Sequence, residues 1–406
     1  MRQQLAALRE FSGFTQLAWA RFISNVGNGM SPIALAYGVI SLDGDAATDG
    51  RNLSLVIAAR YFPLVIFMLF GGVFADRFQR NRIVGGVDII GSITASISAI
   101  SFIAGFPHLW ILIAMGALFG VLNALWWPAM SGVLPEILPQ EKLQDGNAVI
   151  GLMSNIGNVS GALLGGIIVA TFNPGWGLLI DAMTFFIAGV LVWNLALPAR
   201  GKVESSGIIH DLAVGWREFI SRSWVVTMVV AFALINMVFE SMLQVLGPLN
   251  YGDLKTGPRQ WSLNLAGLTI GMMIGGFIVL KRKFKRPLAI AMVLVALSAA
   301  WDLVLALDYA LPVAMAAAIF SGITLEFFMV TWNTSLQSHI PSQSLSRVSA
   351  YDALGSYGIA PIGIVLAGPL VAHFSVNSIL FATGLITFLA AGLSLSVKSV
   401  RELANP

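Results

Sequence analysis

The sequence predicts an all-α polytopic membrane protein, with twelve transmembrane helices in two pseudo-symmetric six-helix bundles. Three observations carry that reading. Of 406 residues, 57% are hydrophobic and only 11% charged, where a soluble protein carries about 25% charged residues. Apolar runs recur at roughly the 20 residues that a bilayer crossing requires. Between these runs, basic residues gather in alternate loops, the pattern that orients a chain in a membrane.

The charged and polar segments set the spans off in order. The first predicted span, 14–41, is divided from the second, 53–75, by a loop holding Arg51. The turn GGVFADRFQRNR, with Arg77, Arg80 and Arg82, separates the second from the third, 83–105. The fourth, 109–134, ends before Lys142, and the fifth, 145–171, is rich in glycine. The sixth, 177–197, leads into the longest polar interruption, which holds Arg200, Lys202, Arg217 and Arg222. Its stretch HDLAVGWREFISRSW reads as amphipathic and suited to lie along a membrane surface. The seventh, 224–248, and eighth, 262–280, flank a loop with Lys255 and Arg259. The run KRKFKR stands before the ninth, 287–307, and Arg347 at the start of the eleventh, 347–372, after the tenth, 311–335. The twelfth, 377–397, precedes Lys398 and Arg401. With the first segment inside, the outside loops hold only Arg51, Lys255 and Arg259, so both termini are expected in the cytoplasm. The polar, basic start MRQQLAALRE lacks the short apolar core of a cleavable signal peptide. The expected division is an N-terminal bundle, 1–198, a cytoplasmic linker, 199–223, and a C-terminal bundle, 224–406.

Composition also excludes several kinds of chemistry. The chain has no cysteine, which removes disulfides, thiol catalysis and cysteine-held metals. Its four histidines show no metal-ligand spacing, and no phosphate-binding Walker loop is present. Neither an enzyme, a cofactor nor direct use of ATP is therefore expected. The pI near 9.3 reflects the loops between spans rather than a nucleic-acid surface. A channel is disfavoured because it normally assembles from repeated subunits, and a membrane sensor because no loop holds a soluble domain.

A weak internal repeat supports a duplication. A shift of 202 residues carries Pro139, Leu143, Ala148, Leu152, Gly161 and Gly166 onto Pro341, Leu345, Ala350, Leu354, Gly363 and Gly368. Gly71-Gly72, before the charged turn, is echoed by Gly275-Gly276 before KRKFKR. A parallel repeat after six spans is the mark of a two-bundle transporter.

Over its whole length the chain resembles a major facilitator superfamily transporter. Gly72, Asp76, Arg77, Arg80 and Arg82 are similar to that superfamily's signature after the second helix. Gln79 stands where glycine is usual, and Asn81 where a basic residue is common. The fifth span carries GNVSGALLGG, which resembles the glycine motif of drug/proton antiporters with Ala162 in place of proline. Glycines four apart also let any two membrane helices pack closely, and both readings stand. The stretches ARFIS, LPEILPQEKLQDGNAV, LLIDAMTFF and LSRVSAYDALGSYGIAPIG resemble the macrolide-efflux and enterobactin-exporter branch. That resemblance implies a monomer in the bacterial cytoplasmic membrane that exports amphipathic organic molecules in exchange for protons. A facilitator or importer of a small solute on the same fold is the alternative.

An ionisable side chain inside a span costs roughly 2.5–3.5 kcal/mol on insertion scales, so each requires a partner or a purpose. Arg21, Arg60, Asp88, Asp181, Glu240, Asp302 and Glu326 are such residues. The resemblance implies that helices 1, 4, 7 and 10 line the central pathway, while 3, 6, 9 and 12 brace it. Helical spacing groups Asn236, Glu240 and Gln244 on one stripe, and Gly322, Glu326, Met329 and Asn333 on another. Arg21, Asn25, Asn28 and Pro32 form a third, and Asn123, Trp127 and Met130 a fourth. Glu240 and Glu326 are the leading candidates for proton coupling, with Arg60, Arg21 and Asp181 beside them. Asn25, Asn28, Asn123, Trp127, Asn236, Gln244, Met329 and Asn333 are the candidates for substrate contact. A carboxyl starved of water favours its neutral form, so proton and substrate would compete for it. The arginine that many proton-coupled relatives carry in helix 4 is missing from 116–129; Arg21 or Arg60 would have to replace it.

The charged turn is expected to form a conformational gate of Gly72, Asp76, Arg77, Arg80, Arg82 and Glu136. By the resemblance, Asp76 faces the positive N-terminal end of the eleventh helix, near 346–349. Arg80 is expected to pair with Glu136. The second half puts Leu280 at the matching aspartate position, so this latch occurs once. The plainer reading is that the three arginines fix topology.

Overall fold

The computed structural model describes residues 8, 10–11, 13–43, 45–197, 216–281 and 286–403, without the side chains of 43, 69–77, 280–281, 342–343 and 346–347. Among the described residues the secondary structure is helical, with no strand. In chain order the long helices are α1 (Phe14–Asp43), α2 (Ala46–Arg77), α3 (Arg80–Ile103), α4 (Leu109–Ser131), α5 (Leu143–Thr171) and α6 (Pro174–Trp193). They continue with α7 (Ser223–Ser241), α8 (Gly257–Lys281), α9 (Pro287–Ser298), α10 (Leu311–His339), α11 (Ser342–Tyr357) and α12 (Val376–Ser394). Three of these are interrupted. Beyond Ser241, α7 widens into a π turn at Met242–Leu246 and resumes as Gly247–Asn250. A second segment, Ala300–Ala306, follows α9, and Ala360–Val371 follows α11. The α11 break precedes Pro361, whose ring leaves no N–H to continue the ladder.

The ends have local causes. Asp45 caps α2 by accepting bonds from Thr48 N at 3.2 Å and Thr48 Oγ1 at 2.8 Å. Asn173 caps α6 through Gly175 N at 2.7 Å, with Pro174 at the first helical position. Eleven described helices are long and apolar enough to cross a membrane. The expected twelfth, α1, has 30 residues but carries Arg21, Asn25 and Asn28 along its length, so its apolarity falls short.

The helices form two compact units, Met1–Val203 with Tyr251–Ala266, and Glu204–Asn250 with Gly267–Pro406. The expected linker, 199–223, falls largely outside the described residues. Tyr251–Ala266, which the expected boundaries assign to the second bundle, packs within the first unit. There Tyr37 of α1 donates its hydroxyl to Tyr251 O at 3.0 Å.

In the first unit, α1 packs on α5 and α6, α2 on α4, and α3 on α6. Lipid removes the hydrophobic drive between helices, so close van der Waals approach must hold them together. The glycine motif of α5 supplies it: a methyl group at Gly161 would overlap the carbonyl of Val26 on α1. One turn to either side, Gly157 meets the Phe22 carbonyl and Gly165 the side chain and Cα of Met30. The core of this unit gathers Phe14, Leu17, Val84, Leu122, Trp126 and Val192. In the second unit α7 packs on α11 and α12, and α9 on α10 and α12. Its core includes Val225, Met228, Leu288, Met292, Phe327 and Trp332.

Candidate functional site

At the charged turn, Arg80 opens α3 and reaches Glu136 in the short helix Val133–Ile137, N to O at 3.6 Å. Gly132 makes the room, because a methyl group there would coincide with the Arg80 guanidinium. The neighbouring Asn81 is buried and donates to the carbonyls of Trp193 at 3.1 Å and Leu195 at 2.8 Å. The Trp193 carbonyl ends α6 without a helical partner, and the Leu195 carbonyl just beyond it also accepts from Leu197 N at 3.1 Å, so this asparagine ties down the end of α6. Arg82 lies over the Trp193 ring, 4.5 Å from its centroid. The side chains of Asp76 and Arg77, and the Gly72 position, lie outside the described side chains, and so does the expected contact at the start of α11.

Deeper in the first unit the polar residues fall into three groups. Arg21 sits 4.6 Å from the Trp126 ring centroid and interacts electrostatically with Asp88, which accepts a hydrogen bond from Trp126. Asn25 donates to Arg21 O at 2.6 Å and accepts from Asn158 of α5 at 3.2 Å, a polar tie across the α1–α5 contact. In the third group, Arg60 lies 4.4 Å from the Phe119 ring centroid and in electrostatic reach of Asp181. Asp181 takes a hydrogen bond from Ser31, is 2% exposed, and keeps Oδ1 buried without a hydrogen-bond partner. These residues line a cavity of about 50 Å³ with Thr94 and Ser98. Asn28 and Asn123 are half-buried, and Trp127 is 61% exposed, edge-on to Trp126.

The second unit brings three of the expected substrate residues together. Asn236 of α7 and Met329 and Asn333 of α10 line one cavity of about 130 Å³. Its wall is an aromatic column. Phe232 stacks on Phe328 at 3.8 Å between centroids, and Phe328 lies nearly parallel to Trp332 at 6.1 Å. At the end of the column, Trp332 Nε1 donates to Asp352 Oδ2 at 2.8 Å, and Ser356 Oγ to Asp352 Oδ1 at 3.2 Å. Asp352, on α11, was not among the expected residues. The only sequence signal for it is its place in LSRVSAYDALGSYGIAPIG, four residues before Ser356.

The two expected glutamates lie elsewhere. Glu326 packs against the α8 glycine pair, its Cβ 3.1 Å from where a methyl group at Gly275 would stand. Glu240 sits just before the π turn, accepting from Gln244 Nε2 at 3.4 Å and in electrostatic reach of Tyr357. Asp302 accepts from Thr383 of α12 at 2.8 Å, a buried brace.

The family model described as Major Facilitator Superfamily matches residues 17–362. This chain belongs to that superfamily. Its relatives include a multidrug efflux pump, Tap, of Mycolicibacterium fortuitum, 23% identical over 400 residues that cover 95% of this chain and 96% of that one. An enterobactin exporter, EntS, of Escherichia coli O1:K1 / APEC is 24% identical over 275 residues, 67% of this chain and 64% of that one. The exporter branch named by the resemblance is therefore represented among them. The nucleoside transporter NupG superposes with a TM-score of 0.73 at 12% identity, covering 95% of this chain and 99% of that one. A D-xylose-proton symporter does so with a TM-score of 0.71 at 12% identity, covering 97% and 100%. This major facilitator protein is an integral membrane transporter.

Proposed function

We propose that this protein is a secondary exporter of amphipathic organic molecules, moved by alternating access in exchange for protons across a bacterial cytoplasmic membrane. The observation that carries the reading is the cavity of the second unit, an aromatic wall studded with Asn236, Asn333 and a carboxylate. Such a mixture suits ligands that are apolar over most of their surface and polar at a few points. The efflux and exporter relatives support the direction of transport.

In this reading the substrate also meets Asn25, Asn28, Asn123, Trp127 and Gln244 during the cycle. Proton coupling falls to Asp181 with Arg60, and to Glu240 and Glu326, with Arg21 as a fixed counter-charge for Asp88. The Arg80–Glu136 pair, with Gly72, Asp76, Arg77 and Arg82, acts as the cytoplasmic gate. The protein works as a monomer of two bundles, with both termini in the cytoplasm.

The test is flux in proteoliposomes under an imposed pH gradient, with macrolides, siderophores and lipophilic cations as candidates. At least one should move against its gradient when the pH gradient is applied. Glu240→Gln, Glu326→Gln or Asp181→Asn should uncouple that movement. Flux indifferent to the pH gradient, and unchanged in all three variants, overturns the antiport reading.

A further inference from the structure

Among the described residues, the second unit's cavity carries one carboxylate, Asp352, among neutral lining groups. Trp332 and Ser356 spend their donors on Asp352. Asn236 donates to Ser356 O at 2.9 Å, and Asn333 to Met329 O at 2.8 Å. A carboxylate offers about four lone-pair positions and an amide oxygen two. Each asparagine keeps a second N–H and the Tyr357 hydroxyl can donate, so the group that sets this lining apart is the Asp352 carboxylate, whose two oxygens keep spare acceptor positions. No basic side chain lines the cavity among the described residues. Tyr357, also in the lining, lies in electrostatic reach of both Asp352 and Glu240, and its neutral phenol leaves the carboxylate's charge uncancelled.

We propose that this cavity binds the protonated amine of an amphipathic organic cation, with Asp352 as its counter-ion. An ammonium group supplies the positive charge that the lining lacks, with N–H donors for the spare positions on Asp352. The column of Phe232, Phe328 and Trp332 then takes the apolar body beside it. A volume of about 130 Å³ falls short of the ≈ 300–1,000 Å³ of a complete drug-sized site. It fits the head of such a molecule and a short stretch of its body. The proposal deepens the exporter reading and rests on it for its physiological meaning, whereas the binding itself stands on this geometry alone.

Octylammonium and 1-octanol are probes of nearly equal shape, one charged and one neutral. Their binding to the full chain in lipid nanodiscs is measured by calorimetry without any gradient, with empty nanodiscs subtracted. Octylammonium should bind at least tenfold more tightly than octanol. Asp352→Asn keeps an acceptor for Trp332, and should lower octylammonium affinity tenfold or more while changing octanol less than threefold. Phe328→Leu, which retains the carboxylate, should weaken both probes together. Equal affinity of the unmutated protein for the two probes overturns the site, as does an Asp352→Asn variant that binds octylammonium normally. An equal loss for both probes in Asp352→Asn would reduce Asp352 to a positioning residue for Trp332 and also overturn it. Charge-selective binding without pH-driven flux would instead sink the antiport reading and leave this site standing.

Discussion

Arg80 and Glu136 are only 18% and 16% exposed, yet their closest approach is 3.6 Å, long for a strong charge-assisted bond. Exposed ion pairs contribute roughly 0–1 kcal/mol, and this loose geometry keeps the pair near that range despite its burial. Glu136→Gln should therefore shift thermal stability in detergent little, while substrate flux at equal expression falls if the pair gates the cycle. Gly132→Ala is the harsher change, since its methyl group must displace the guanidinium itself. It should cost about 1–3 kcal/mol, as overpacking does, read as a lower unfolding midpoint. The pairing of Arg80 with Glu136 was legible because both residues carry charge at the same end of adjacent spans. Asp352 was not legible, since α11 was not counted among the pathway helices. The use of Asn81 as a cap for the end of α6 was equally hidden, because it depends on where another helix stops.

At the scale of elements, apolar runs and charged breaks marked where nearly every helix lies, because bilayer thickness fixes length and loop charge fixes ends. What periodicity does not carry is the partner across the contact. Gly322 and Glu326 share a stripe with Met329 and Asn333 in the sequence, yet the first two face α8 while the others line the cavity. The α5 glycine motif is spent on contact with α1, so Gly161→Val should separate α1 from α5 and lower the unfolding midpoint sharply. A normal midpoint would remove that packing role. The turn before α8 has a pH dependence of its own. Asp253 accepts from Lys255 N at 3.0 Å and Thr256 N at 2.8 Å, and these bonds with the Thr256 hydroxyl hold its carboxyl below the usual range. A depressed value means that the turn is supported above the unfolded-state pKa, about 3.9, and loses support as pH falls through the lower folded value. Amide exchange at Lys255 and Thr256, corrected for intrinsic rates, should lose protection only on that acid side.

Across the whole molecule, buried ionisable groups occur in both units, and most have internal partners. Arg21 lies in electrostatic reach of Asp88 and Arg60 of Asp181, and Asp302 is held by Thr383. Arg60 lies over the Phe119 ring and in electrostatic reach of the buried Asp181, so truncating it removes packing as well as charge. Arg60→Ala should therefore destabilise the protein far more than Trp127→Ala, whose side chain is 61% exposed. The double variant Arg60→Ala with Asp181→Asn should recover part of the loss, measurable as a partial return of the unfolding midpoint. If it does not, the two residues are not coupled in the folded protein. Fold and family were readable from the chain because they follow from length, apolarity and one motif. Which buried acids lie near which bases was not, because helix packing brings together groups, such as Arg60 and Asp181, that no shared loop or helix end relates in the sequence.

The π turn at Met242–Leu246 is equivalent to one surplus residue in an otherwise regular helix. Each residue of an α-helix turns the chain by about 100°, so everything before the turn is out of phase with everything after it. Deleting Leu243 would restore an unbroken coil and swing Glu240 and Asn236 about a quarter-turn away from their present neighbours. The aim of α7 toward the cavity is thus set by a single extra link in the chain rather than by the side chains that use it.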